Sequence, residues 1–159
     1  MKTNKLKLMI FDSYLSAIKN SVGTKIFRNL FFNVNGKKKD ILKNGDLSCA
    51  YFISSILYLF GLIKEKHATV DGALKDMKKS GWKEIKNPKP GCIILWDYKP
   101  LKNGKLGNRH LSFYLSGKSA ISHRSEKRMP IRHDLNRGTG KNIIPIRKII
   151  AFYWNKKLD

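Results

Sequence analysis

The chain of 159 residues carries 33 lysines and arginines against 11 aspartates and glutamates, a formal net charge of +22. Its hydrophobic residues, 42% of the total, exclude global disorder, and a count of two cysteines excludes a disulfide framework. The length indicates a single domain over residues 1–159. The charge favours anionic partners such as nucleic acid, acidic lipid or phosphate-bearing polymers, although a solvated lysine-rich coat has the same composition.

The N-terminal residues predict an amphipathic helix over about residues 6–22. Apolar side chains recur there at spacings of three and four, at Leu8, Phe11, Leu15, Ile18 and Val22. Asp12 interrupts the apolar run and no small-residue cleavage site follows, so we expect no signal peptide. The default expectation is a cytoplasmic protein, or an extracytoplasmic one if it is released or exported by another route. A second short helix is predicted over 24–31, which makes residues 1–43 an N-terminal helical extension.

A polar connection with Gly36 and Gly45 as turn residues leads into a helix predicted over about 48–62. This helix is apolar on nearly every face, as expected of a helix buried in a core. Cys49 lies at its start, and either Asp46 or Ser48 is the predicted N-cap.

A third helix is predicted over about 69–80, with Thr69 as its cap and Gly81 at its end. The hydrophobic period then changes, and six segments predict strands: GWKEI, GCIILW, HLSFYLS, SAISH, a short piece near 129–132, and KIIAFYW. Helices followed by strands indicate an α+β domain with a mostly antiparallel sheet.

Cys49 and His110 are the candidate catalytic pair. A cysteine at a helix N-terminus lies near partly positive N–H groups, which favour the thiolate. His110 opens a predicted strand, where its imidazole can accept the thiol proton, and the Cys49 N–H can stabilise an oxyanion. A third polar group should orient the imidazole, and His123 and Ser122 lie on the next predicted strand.

Four segments together resemble the NlpC-type papain-like cysteine peptidases. LSCAYFISSILYLFGLI, KPGCIILW, RHLSFYLSGKSAISH and IIAFYW follow the family's order over about residues 44–154. The resemblance implies a papain-like α+β core in 44–154, with a buried nucleophile helix on the sheet and a Cys-His-polar triad. It also implies hydrolysis of amide bonds in peptidoglycan stem peptides or related isopeptide bonds, with no cofactor.

By position, Cys49 matches the family's nucleophile, His110 its base and Tyr114 the aromatic residue of the histidine strand. Counting from His110 without a gap places the third residue at Ser122, whereas His123 requires one extra loop residue. We favour His123, because an imidazole hydrogen-bonds a ring nitrogen more strongly than a hydroxyl does.

The sequence also departs from the family's pattern. Ser48 and Ala50 stand where the family has aspartate and serine, and Cys92 replaces an aspartate after a Pro-Gly pair. We interpret Cys92 as a core residue. No tyrosine upstream of Cys49 matches the family's, so the oxyanion partner is left open.

An alternative interpretation is a catalytically inactive protein that keeps the papain-like fold and uses its basic surface to bind nucleic acid or another anionic polymer. The segment 123–142 is basic and contains Arg124, Lys127, Arg128, Arg132, Arg137 and Lys141. It is either a loop that contacts phosphate groups or a solvated basic loop. His67 is predicted at the surface. The histidines and cysteines lack metal-ligand spacing, and no segment predicts a membrane span, so we expect neither metal nor transmembrane helix.

Overall fold

The structure is a computed structural model that describes residues 6–99, 101, 104–135 and 147–159. Along the chain one helix is followed by a two-stranded hairpin, then by two helices and finally by six strands. In order they are α1 (Ile10–Asn20), β1 (Phe31–Val34), β2 (Lys37–Asp40), α2 (Cys49–Leu59), α3 (Val70–Lys79), β3 (Trp82–Ile85), β4 (Ile93–Trp96), β5 (His110–Ser116), β6 (Ser119–Arg124), β7 (Met129–Asp134), β8 (Ile149–Asn155) and a 3-10 turn at Lys156–Leu158.

The six later strands form one sheet in the order β3-β8-β4-β5-β6-β7, and each neighbouring pair is antiparallel. All the predicted strands are present, and the predicted α+β class with an antiparallel sheet is confirmed. The last strand, β8, inserts between β4 and the edge strand β3, so strands distant in sequence become neighbours in the sheet.

Helix α2 packs against β5 and β6 and supplies much of the core. Phe52 lies edge-on to Phe113 of β5, with ring centroids 5.5 Å apart, and to Phe27 at 5.0 Å. The helix is buried on most faces, as predicted, but Leu59 in its last turn is 68% exposed. Gly61 follows with a φ of +63°, a conformation that favours glycine at a helix end.

Helix α1 faces the core with the middle of its predicted apolar stripe, since Phe11, Leu15 and Ile18 pack there, but the two ends of the stripe, Leu8 and Val22, are exposed. It begins at Ile10, and Leu8 before it is 68% exposed, while Tyr14 is fully buried. The Tyr14 hydroxyl donates to the Gly91 carbonyl at 2.7 Å. Gly91 has a φ of +85°, and a Cβ there would lie 2.9 Å from the Tyr14 ring, so this close approach requires glycine.

The helix predicted over 24–31 is wrong. Residues 24–30 form turns, and Phe31 begins a two-stranded hairpin in which β1 pairs with β2. Asn35 and Gly36 make its two-residue turn, with φ values of +52° and +79°. Asn-Gly is the preferred sequence for such a turn because both residues tolerate positive φ. The asparagine before Gly36 was therefore a hairpin signal.

Candidate active site

Cys49 is the first residue of α2, and its sulfur lies among backbone N–H groups. The N–H groups of Cys49 and Ala50 both interact with the sulfur. Ser48 is the N-cap residue, but its side chain makes no capping hydrogen bond. The N–H groups at this end of the helix are therefore directed at the sulfur and not satisfied by a capping hydroxyl.

The sulfur also contacts the strand that His110 begins. The Leu111 N–H, one residue after His110, hydrogen-bonds to Cys49. The pairing of β5 with β6 starts at Phe113 and runs toward their shared turn. The N-terminus of α2 thus meets β5 beyond the paired part of these two strands, so Cys49 lies beside the backbone of the strand that His110 begins.

Cys49, His110 and His123 line one cleft of about 700 Å³. Its walls come from the starts of α2 and α3, the segments between β4 and β5, and the ends of β5 and β6. The charged side chains that line it are Asp46, Asp71, Lys99, Arg109, Arg124, Glu126 and Arg147. The cleft combines a half-buried sulfur with an imidazole and a rim of both charges, a combination that suits attack on a polar acyl substrate.

The thiol of Cys49 is not activated to the extent that its helix position predicts. Burial raises the pKa of this thiol above its ordinary value, and this outweighs the N–H groups of Leu111 and Ala50 and the charge of Arg147, which lower the pKa. The expected depression of the pKa by the helix end is therefore wrong for the free protein. The protonated thiol dominates at neutral pH, and removal of its proton requires a base.

His110 and His123 project from different faces of the sheet. Phe113 pairs with Ile121, so alternation places His123 on the face of Phe113 and His110 on the other. Neither ring nitrogen of His123 has a hydrogen-bond partner within the part of the chain that the structure describes. The hydrogen bond predicted from His123 to His110 is therefore not formed, although both rings reach the cleft.

Burial first and repulsion from Arg28 second lower the pKa of His123 to about 4. His123 is consequently neutral at physiological pH. A neutral, buried imidazole at the cleft wall can still exchange a hydrogen bond with a bound substrate.

Ser122, the alternative third residue, lies on the same face as His110 by the same alternation. Its hydroxyl hydrogen-bonds to His133 Nε2 at 2.9 Å. The His133 ring lies 6.4 Å from the ring of Trp96, and Trp96 is the β4 residue that pairs directly with His110. Ser122 therefore shares the sheet face of His110 and bonds to His133 there, whereas His123 lies on the other face.

Arg147 is a cleft residue that the sequence analysis does not single out. It stands just before β8 and donates to the carbonyls of Asp97 and Asn108, the first at 3.2 Å. Burial lowers its pKa, and the neighbouring Cys49 raises it. No local motif identifies Arg147 because only the insertion of β8 beside β4 brings it to Cys49.

His67 does not line the cleft; its side chain is 19% exposed, so the predicted surface position is only partly met, and it contacts Asp76. Its Nε2 is 2.8 Å from the carboxylate, and its backbone N–H donates to the Ser54 hydroxyl at 2.8 Å. These contacts fix the connection between α2 and α3. Thr69 then caps α3 as predicted, by accepting from the Gly72 N–H.

The structure also bears on three other predictions from the sequence: the core position of Cys92, the basic stretch over 123–142 and the absence of metal-ligand spacing. Cys92 is fully buried, which confirms its assignment to the core, and burial raises its pKa to about 11. In the basic stretch Arg124 bonds to Glu126 at 2.9 and 3.1 Å, while Arg137 and Lys141 lie outside the described residues. The described residues include no group of three or more potential metal ligands.

Comparison with protein-family models and with curated proteins finds no match. No helix within 6–99, 101, 104–135 and 147–159 has the length and apolar character needed to cross a membrane.

Proposed function

We propose that the protein is a thiol hydrolase of papain-like fold that cleaves an amide or isopeptide bond through an acyl-enzyme on Cys49. The observation that carries this proposal is the cleft in which the sulfur at the start of α2 meets the strand opened by His110. The order of sequence segments resembling NlpC-type peptidases supports the papain-like fold and makes peptidoglycan stem peptides the proposed substrates.

In the proposed reaction His110 accepts the Cys49 proton as the sulfur attacks the acyl carbon. Because burial raises the pKa of Cys49, proton transfer accompanies the attack and no stable thiolate precedes it. The N–H groups at the start of α2 stabilise the oxyanion. Collapse breaks the C–N bond, and the amine leaves with the proton held by His110. Water, activated by His110, then hydrolyses the thioester and restores the thiol.

Reaction with p-nitrophenyl acetate tests the proposal without knowledge of the natural substrate. We expect acetylation of Cys49, detected by intact mass, followed by slow hydrolysis of the thioester. A Cys92→Ser background removes the other thiol. Cys49→Ala should abolish acylation, and His110→Ala should slow it roughly 10²-fold. An unchanged acylation rate in His110→Ala would refute the catalytic pair.

Alanine variants of Ser122 and His123 test which residue orients the His110 imidazole, and purified peptidoglycan stem peptides test the proposed substrate. Ser122→Ala should reduce acylation more than His123→Ala if the Ser122–His133 pair, on the sheet face of His110, orients its imidazole. Release of amino groups from purified stem peptides, lost in Cys49→Ala, is the expected result for a wall enzyme. Acylation of Cys49 without any such release would exclude the proposed substrate but not the thiol chemistry.

We infer a second candidate function, binding of anionic polymers, from the β1–β2 hairpin. Phe31 and Phe32 are about half exposed, at 55% and 50%, and Lys37, Lys38 and Lys39 are exposed on the partner strand. Lys38 Nζ lies 4.4 Å from the centre of the Phe31 ring. Exposed aromatic and cationic side chains on one ribbon favour contact with a charged polymer, independently of Cys49.

A further inference from the structure

Arg147 places a fixed positive charge beside the candidate nucleophile. Its guanidinium is half-buried, lines the same cleft as Cys49, and is close enough to influence the thiol electrostatically. The carbonyls of Asp97 and Asn108 hold it from the ends of the loop between β4 and β5. The group is thus positioned by the backbone, with its orientation set before any substrate binds.

The charge of Arg147 is not neutralised by an ion pair within the described part of the chain. Two carboxylates of the cleft form ion pairs with other arginines: Glu126 pairs with Arg124, and Asp71 pairs with Arg109. Glu126 also attracts Arg147 electrostatically, but the hydrogen-bond acceptors of Arg147 are neutral carbonyls. A half-buried guanidinium that contacts no carboxylate is costly, and an anionic ligand in contact with it would reduce that cost.

We propose that Arg147 binds a carboxylate of the substrate next to the acyl carbon that Cys49 attacks. The inference rests on the proposed function and narrows it, since it selects acyl substrates with a carboxylate near the scissile amide. Guanidinium groups bind carboxylates through two parallel N–H···O bonds, which fixes the position of the ligand as well as attracting it. Neutral amide substrates would lack this contact.

Two alkylating reagents of nearly equal size test the site. Iodoacetate carries a carboxylate and iodoacetamide a neutral amide, and both react with the same thiolate. The ratio of their rates at Cys49 therefore cancels the thiolate fraction, so any effect of Arg147 on the pKa of Cys49 drops out. In a Cys92→Ser background we expect the iodoacetate/iodoacetamide ratio to exceed that of N-acetylcysteine by roughly tenfold or more, the size of a charge-assisted hydrogen bond.

Arg147→Gln should lower this ratio about tenfold, and Arg147→Lys should retain part of it. Arg132→Gln is the matched control, because Arg132 is exposed on β7 and does not line the cleft. An unchanged ratio in Arg147→Gln, or an equal fall in Arg132→Gln, would overturn the proposal. His110→Ala should leave the ratio intact while it slows acylation, so failure of the catalytic pair is distinguishable from failure of the anion site.

Protection of the unmutated cleft gives a second readout that needs no folded Arg147 variant. At constant ionic strength, succinate should slow the reaction of Cys49 with iodoacetamide, and succinamide should not. Inorganic phosphate is the comparison for oxyanions in general: weaker protection than succinate is expected for a carboxylate site. Equal protection by succinate and succinamide, or stronger protection by phosphate, would contradict the proposal.

Discussion

At the scale of single residues, Asp76 shows how a buried charge stabilises the connection beside the cleft. Burial alone raises its pKa, but hydrogen bonds from His67, the backbone N–H groups of Lys64 and Glu65, and the Ser80 hydroxyl outweigh burial and lower it to about 2. The ionised form is therefore bound more tightly in the folded state than in the unfolded one.

Because the folded-state pKa of Asp76, about 2, lies below the ordinary value of an aspartate, its contribution to stability is present above pH about 4 and is lost as the pH falls toward 2. The shift corresponds to on the order of 2 kcal/mol of the free energy of unfolding. Asp76→Asn should lower the free energy of unfolding by about this amount at pH 7. It should also flatten the acid limb, which is the fall in the free energy of unfolding as the pH drops toward 2. Urea unfolding between pH 2 and 7 measures both effects. Asp12→Asn, at an exposed site in α1, is the control. An acid limb unchanged in Asp76→Asn would contradict the assignment.

At the scale of secondary structure, Tyr14 joins α1 to the rest of the core. Its ring lies edge-on to Phe60 and Phe113, with centroids 5.8 and 5.9 Å away, and its hydroxyl satisfies the Gly91 carbonyl. Helix α1 is thus anchored to α2 and to the turn before β4. One side chain carries both the apolar packing and the polar contact.

Tyr14→Phe should lower the free energy of unfolding by about 1–3 kcal/mol, because the buried Gly91 carbonyl loses its donor. Tyr14→Ala should lower it by about 3–5 kcal/mol through the added cavity. Leu8→Ala is the informative control, since Leu8 belongs to the predicted apolar stripe but is 68% exposed. Denaturant unfolding measures all three. An effect of Leu8→Ala as large as that of Tyr14→Phe would mean that Leu8 packs on the core after all, as the apolar spacing predicts.

The helices and strands that could be predicted from the sequence are those whose own hydrophobic pattern is enough to identify them. The apolar run headed by Cys49 and the alternation after His110 each identify one element without reference to the rest of the fold. The burial of Tyr14 was not predicted, because a phenol is buried in an apolar face only where its hydroxyl finds an acceptor, here the Gly91 carbonyl. Arg147 was missed because its neighbours depend on where β8 inserts in the sheet. The candidate residues Cys49 and His110 could therefore be proposed from the local sequence, whereas the positions of Arg147 and Tyr14 required the tertiary structure.

At the scale of the whole molecule, the charge of +22 predicts binding to anionic polymers that weakens steeply with salt. If such binding uses the β1–β2 hairpin, replacing Lys37, Lys38 and Lys39 by glutamine should weaken binding to duplex DNA and reduce the slope of log K against log salt by about 3, one per lost phosphate contact.

Fluorescence anisotropy with a labelled duplex at several salt concentrations measures this slope. Lys75, Lys78 and Lys79, exposed on α3, provide a glutamine triple variant that removes the same charge elsewhere. Cys49→Ser should bind as the unmodified protein does, because the hairpin acts without the thiol. A similar loss in both triple variants would mean that the polymer responds to the diffuse field of the molecule, and a flat salt dependence would exclude the second candidate function altogether.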